Sequence, residues 1–189
     1  HCASQLKECQ GLVLSGGAYV YPKAESPDAA ISELQNHAYR QCIHLAIELQ
    51  MPVLAMSAGA LFVAKEFGLE VYRNFDAVET PIVHLSNKEE AHRLNILPNS
   101  PLQKIFEENN LFFVNSHHGE CLAPIKVQKR LWAEHYHMTE EKVALPLDIY
   151  AEANDGIPEA WGSETKNILC VQWELDTMAD KNTADMPAL

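Results

Sequence analysis

Two short apolar runs, each broken by small residues and followed by a stretch of helical character, constrain this chain most. Gly11-Leu-Val-Leu-Ser15 ends at Gly16-Gly17, and Pro52-Val-Leu-Ala-Met56 ends at Ser57-Ala-Gly59. Runs this short, bounded by turn residues, read as buried strands meeting tight turns. Between them Ile31, Leu34, Ala38, Cys42, Leu45 and Leu49 recur at helical spacing from about Pro27 to Gln50. Asp28 and Glu33 place acids in the first turns, where they favour a helix start. Ala58 to Phe67 reads as the helix after the second strand. Leu94–Leu97, Leu111–Asn115, Ile149–Ala153 and Ile168–Trp173 are further strand candidates, and Ser100–Glu108 is a short helix capped by Ser100. Alternating strands and helices predict an α/β three-layer sandwich, with a mostly parallel central sheet and helices on both faces. Ligands in such sheets bind beyond the carboxyl ends of the strands, where the turns after Leu14, Met56, Val114 and Trp173 lie.

No internal repeat, low-complexity tract or Pro/Gly-rich linker divides the 189 residues, so one domain over 1–189 is expected. A formal net charge of −12 argues against nucleic acid, which needs clustered Lys and Arg. Met51–Met56 and Ala58–Ala64, the longest apolar stretches, fall short of the roughly 20 residues needed to span a bilayer. No basic region followed by an apolar one opens the chain, although it starts at His1 rather than Met. Cys2, Cys9, Cys42, Cys121 and Cys170 are scattered and odd in number, which suits free thiols in a reducing, cytoplasmic setting.

Ala55-Met-Ser-Ala-Gly59 is the sharpest local feature. Small residues on both sides of Ser57 let a strained strand-to-helix turn present its hydroxyl, with the helix N-terminus beside it to stabilise an oxyanion. The bland alternative is that Ser57 simply caps the helix.

The wider pattern adds to this. Leu14-Ser-Gly-Gly-Ala-Tyr-Val-Tyr-Pro22 resembles L-P-G-G-x-D-V-x-P, and Pro52-Val-Leu-Ala-Met-Ser-Ala-Gly59 is similar to P-V-L-G-I-C-R-G. His92-Arg-Leu-Asn-Ile-Leu-Pro-Asn-Ser100 looks like H-x-V-x-x-x-P-x-S. Val114-Asn-Ser-His-His118 looks like V-N-S-x-H, with Glu120 where many relatives carry Gln. Ala151-Glu-Ala-Asn-Asp-Gly156 and Glu159-Ala160 match A-x-A-x-D-G and the following E-A, and Cys170-Val-Gln-Trp-Glu-Leu-Asp176 resembles G-V-Q-W-H-P-E. Together these blocks resemble the γ-glutamyl hydrolase branch of the class I glutamine amidotransferase superfamily, which implies a flavodoxin-like α/β fold. In that family a Cys attacks a γ-glutamyl carbonyl, a His removes its proton and a Glu orients the His. The resemblance puts Ser57, Glu174 and Asp176 at those positions. It implies substrate or oxyanion contacts from Gly16, Gly17, Ala58, Ser116 and Glu120.

Serine needs a general base, and an ordinary carboxylate with a pKa near roughly 4 is a weak one for an alcohol. Ala58 replaces the family arginine, Tyr19 the aspartate after the double glycine, and Leu175 the proline. Ser57-Ala-Gly-Ala60 also resembles the elbow of serine peptidases of the peptidase E and cyanophycinase group. His118 could therefore be a base for Ser57, oriented by Glu120 or Glu174, or merely a retained polar wall residue. His117-His118 and His135-Tyr-His137 offer no evident metal set, since neighbours on a strand face opposite ways, and neither metal nor cofactor is expected. Trp161 and Trp173 read as packing residues.

Relatives usually carry a strand and helix before the double-glycine strand, whereas only His1 to Gln10 precede it here. Removing that strand would leave sheet edge and apolar surface exposed, so the missing part is expected elsewhere, in another chain or segment. One expectation is thus a degenerate amidotransferase-like protein that binds a glutamyl-type small molecule or a partner. The second is a hydrolase of γ-glutamyl or similar C–N amide bonds through Ser57. The third is a domain that supplies a homodimer surface.

Overall fold

The computed structural model describes residues 5–16, 28–73, 80–98, 100–105, 112–175 and 178. The elements in chain order are β1 (Leu12–Leu14), α1 (Asp28–Glu48), β2 (Val53–Met56), α2 (Ala58–Glu66), β3 (Val71–Tyr72), β4 (His92–Ile96) and α3 (Leu102–Ile105). They continue with β5 (Phe112–Val114), β6 (Cys121–Leu122), α4 (Ile125–Tyr136), β7 (Asp148–Ala153), β8 (Pro158–Ser163) and β9 (Ile168–Val171). The apolar runs at 11–15 and 52–56 form β1 and β2, and the periodic segment between them is α1. The Ser100 hydroxyl accepts the Leu102 N–H at 3.1 Å, as expected of a cap. None of the described helices is long and apolar enough to cross a membrane.

The main sheet runs in the order β1-β2-β9-β8-β7-β4-β5, and β3 pairs with β6 in a small second sheet. The α/β class is the expected one, but the sheet is mixed rather than mostly parallel. Only β1–β2 and β2–β9 pair in parallel, whereas β9–β8, β8–β7, β7–β4 and β4–β5 are antiparallel. Two short connections set the antiparallel pairs on either side of β8. Residues 154–157 join β7 to β8 and residues 164–167 join β8 to β9, far too few for the crossover that parallel neighbours require. Gly156 (φ 80°) and Asn167 (φ 55°) supply the left-handed backbone that turns so tight demand.

Strand β8 is not among the strands the sequence predicts. Pro-Glu-Ala-Trp-Gly-Ser lacks β-branched residues and polar alternation, yet all six residues are buried. A central strand covered on both faces has no solvent side to write into its sequence. Pro158 is tolerated as its first residue. Helix α4 is likewise absent from the elements the sequence predicts; buried Gln128 fixes it, donating to the carbonyls of Glu70 and Ala123 while accepting the Glu70 N–H at 2.9 Å.

The core divides by strand parity. Trp161, Ile168 and Cys170 join α1 and α2 side chains such as Ile43 and Leu61 in one cluster. Ala160, Val171, Leu94, Val114 and Trp173 join a second. Adjacent residues of β8 and β9 thus enter different clusters, as the two faces of a pleated strand require.

Strand direction then positions the site. Following the pairings across the sheet, β1, β2, β9, β7 and β5 end at one edge, and β8 and β4 begin there. Residues just past the first group and at the start of the second are therefore gathered: Ser57, Glu174, Asp155 and His118 with Glu159 and His92.

Packing in the sheet centre is tight at Gly162, where an added Cβ would lie 2.1 Å from the Ile168 carbonyl oxygen. Gly162→Ala should cost about 3 kcal/mol or more of unfolding free energy in chemical denaturation. Gly119→Ala, whose Cβ would meet nothing within 4 Å, should stay within about 0.5 kcal/mol of the parent.

Candidate functional site

Ser57 sits between β2 and α2 with φ 50° and ψ −124°, a backbone conformation that non-glycine residues rarely adopt. Its N–H donates to the Val171 carbonyl at 2.9 Å, carrying the β2–β9 ladder one residue past the strand, and its own carbonyl accepts the Leu61 N–H at 3.2 Å. Ladder on one side and helix on the other hold the turn in place. The hydroxyl makes no cap hydrogen bond to α2, so capping does not account for serine here.

Two glycines let the loop after β1 press against this turn. A Cβ at Gly16 would stand 3.1 Å from Ser57 Cβ and 3.4 Å from its Oγ. One at Gly59 would stand 2.7 Å from the carbonyl oxygens of both Leu14 and Ser15. Tyr39 braces the loop by donating to the Ser15 carbonyl at 3.0 Å. Ala58 opens α2, where backbone N–H groups of the first turn lack partners within the helix. Gly17 and Asp176 lie outside the described residues.

Glu174 is fixed through its backbone. Its N–H donates to the Asn115 side-chain oxygen and its carbonyl accepts from the Asn115 amide nitrogen, both at 2.9 Å. This two-point lock joins the segment after β9 to the segment after β5.

That second segment leads to a buried group of titratable residues. Ser116 donates its hydroxyl to the His84 carbonyl at 2.7 Å, and the His118 N–H donates to the same carbonyl at 3.2 Å. The His84 ring is thereby set beside those of His92 and His118, with centroids 4.8 and 5.2 Å away. All three rings face Glu159, which is wholly buried. Glu159 Oε1 lies 3.2 Å from His84 Nδ1, 3.4 Å from His92 Nε2 and 3.5 Å from His118 Nε2. The outward nitrogens of two rings are occupied: His84 Nε2–H donates to Asp155 Oδ2 and His118 Nδ1–H to the Glu120 carbonyl, both at 2.9 Å. Asp155 also accepts from the Thr80 hydroxyl and from the Ile157 N–H at 3.1 Å.

Electrostatics follow from this packing. Burial works against a charged His84, but hydrogen bonds to Asp155 and Glu159 and their charges outweigh it and raise the imidazole to about 9. Burial likewise opposes a charged Glu159, yet the charge of His118 and the approach of His118, His84 and His92 hold its carboxyl far below the usual range. Burial, followed by the charge of Glu159, pushes the nearby Cys121 thiol up to about 12 and makes it inert.

The predicted residues therefore fall into two neighbourhoods. Ser57, Ala58 and Gly16 form the elbow, while Ser116 and His118 belong with the histidine cluster. Among the described residues no hydrogen bond joins Ser57 Oγ to His118. Glu120 is itself buried and holds His118 through its carbonyl. His92, Asp155 and Glu159 stood in recognisable sequence blocks without a role, and His84 stood in none. His117, His135 and His137 are exposed and form no set. The cysteines among the described residues, Cys9, Cys42, Cys121 and Cys170, form no disulfide.

The elbow makes a direct prediction. Ser57→Gly removes the penalty of a side chain at φ 50° and should raise the unfolding free energy by about 1 kcal/mol, read by denaturant melts. A loss of stability would show that the hydroxyl contributes contacts of its own.

Known proteins share this architecture. The glutamine amidotransferase of Thermotoga maritima superposes with a TM-score of 0.55 at 17% identity, covering 95% of this chain and 63% of that one. The glutamine amidotransferase of Methylobacillus flagellatus gives 0.56 at 11% identity, covering 95% and 59%. In sequence, the chain is 25% identical over 171 residues to the glutamine amidotransferase-like protein YvdE of Lactococcus lactis, covering 86% of this chain and 64% of that protein. The chain thus spans a little under two thirds of the length of these relatives. The Peptidase C26 family matches residues 1–174. With that match over most of its length, and with the class I glutamine amidotransferase-like fold, the chain belongs to the Peptidase C26 family.

Proposed function

We propose that this chain is a degenerate member of the γ-glutamyl hydrolase branch, which binds a glutamyl-type small molecule without the thiol chemistry of its relatives. The observation that carries the reading is the state of Ser57. It occupies the elbow where the family resemblance puts the nucleophile, and among the described residues no imidazole is hydrogen-bonded to its hydroxyl. An alcohol without such a base is a weak nucleophile. The residue matching the family histidine is Glu174, a carboxylate whose backbone is tied to Asn115. His118, the other candidate base, is directed at the Glu120 carbonyl and at Glu159. What favours retained binding is the elbow itself: the Gly16 approach and the open first turn of α2 keep the shape of an oxyanion site. The absence of a disulfide among the described cysteines supports a reducing, cytoplasmic setting.

One observation speaks for the alternative, an amide hydrolase using Ser57. The hydroxyl is not spent on capping, and its backbone carries strain of the kind found at nucleophile elbows. A serine-directed fluorophosphonate separates the two readings. The proposal expects no labelling above that of Ser57→Ala and no hydrolysis across a panel of γ-glutamyl amides. Labelling abolished by Ser57→Ala would establish the hydrolase instead. In the double variant Ser57→Cys, Glu174→His, hydrolysis of a γ-glutamyl amide is expected to emerge, because the elbow would regain a thiol and a base.

A further inference from the structure

We propose that His84, His92, His118 and Glu159 form a closed binding site for one divalent transition-metal ion of the zinc class. The four residues come from four separate segments and each is at most 6% exposed. Their donor atoms, His84 Nδ1, His92 Nε2, His118 Nε2 and Glu159 Oε1, all lie within 4.8 Å of one another.

Geometry favours an ion over a set of hydrogen bonds. Charge-assisted N–H···O contacts run to about 2.7–2.9 Å. The three contacts to Glu159 Oε1 are 3.2, 3.4 and 3.5 Å. Ligands at zinc distances of about 2.0–2.1 Å stand about 3.3–3.4 Å apart at the corners of a tetrahedron. The three distances to Glu159 Oε1 match that spacing, and all four donor atoms lie within 4.8 Å of one another, so the imidazoles would draw in around an ion. The proton positions agree. His84 and His118 each commit an N–H to an outer acceptor, Asp155 Oδ2 and the Glu120 carbonyl, so the nitrogen of each that faces Glu159 is the one placed to ligate an ion. A carboxylate behind one ligating histidine and a backbone carbonyl behind another is also how proteins orient metal-binding imidazoles.

Charge closes the argument. Glu159 and Asp155 bring two buried carboxylates into a region from which water is excluded, and one divalent ion matches their combined charge. Three imidazoles and a carboxylate suit zinc among the common biological metals. Four protein ligands fill a tetrahedral shell, so the site has no open position for substrate or water and acts as a structural clamp. It fastens the segment bearing His84 and the loop after β5 to the starts of β4 and β8.

The test uses the chain stripped with a chelator and then titrated with Zn2+ or Co2+ alone. The expected results are uptake of one Zn2+ per chain, a higher melting temperature, and the intense visible absorption of tetrahedral Co2+. His92→Asn and Glu159→Gln should abolish all three, and Asp155→Asn should weaken Zn2+ binding by roughly 10–100-fold. His117→Ala combined with His135→Ala should leave them unchanged. Because Glu159 is fully buried and Glu159→Gln can misfold, the Co2+ spectrum of the unaltered chain decides independently. Failure to bind, the weak spectrum of octahedral Co2+, or binding that survives His92→Asn would overturn the proposal. None of these readouts depends on whether Ser57 is active.

Discussion

A carboxylate with no access to water is the constraint around which this molecule is arranged. Glu159 is the second residue of a strand buried on both faces, and an uncompensated charge there would cost several kcal/mol or more. The compensation arrives from distant parts of the chain: His84 from an irregular segment, His92 from the start of β4 and His118 from the loop after β5. That meeting is possible because antiparallel pairing brings the starts of β4 and β8 to the edge at which β5 and β7 end. Loops that would otherwise be independent are therefore held by one shared electrostatic requirement.

The elbow at Ser57 lies on the parallel half of the sheet, two strand positions from β8. Here the fold keeps what is expensive, the strained backbone and the glycine-dependent approach of the β1 loop, with a serine at the turn. Strain of this kind persists only when its surroundings enforce it. At Ser57 the enforcement is visible in the hydrogen bonds to Val171 and Leu61. On the reading proposed above, this turn, whose serine has no hydrogen-bonded imidazole among the described residues, belongs to a domain that binds without turnover. The locked Asn115–Glu174 pair fits as well, because it uses the segment after β9 to brace the sheet edge.

Much of the fold was legible in the sequence because its signals were local. The runs at Leu12–Leu14 and Val53–Met56 and the periodicity of Asp28–Glu48 declare themselves within a few residues. Strand β8 did not, since Pro-Glu-Ala-Trp-Gly-Ser is shaped by neighbours on both faces and shows no alternation. Missing it concealed the two short connections that set the antiparallel pairs on either side of it. The elbow was legible for the same local reason as β2. The histidine cluster was not, because its members are far apart in the chain and only the sheet pairing brings them together. The adjacent pairs His117-His118 and His135-Tyr-His137 drew notice, yet only His118 of those four takes part.

Anomalous diffraction recorded at the zinc absorption edge from crystals of the zinc-loaded chain tests the central claim most directly. The account predicts one strong peak enclosed by His84 Nδ1, His92 Nε2, His118 Nε2 and Glu159 Oε1, each at about 2.0–2.2 Å. A peak at any other group of residues, or none within the cluster, would contradict it and leave Glu159 balanced by protonated imidazoles alone.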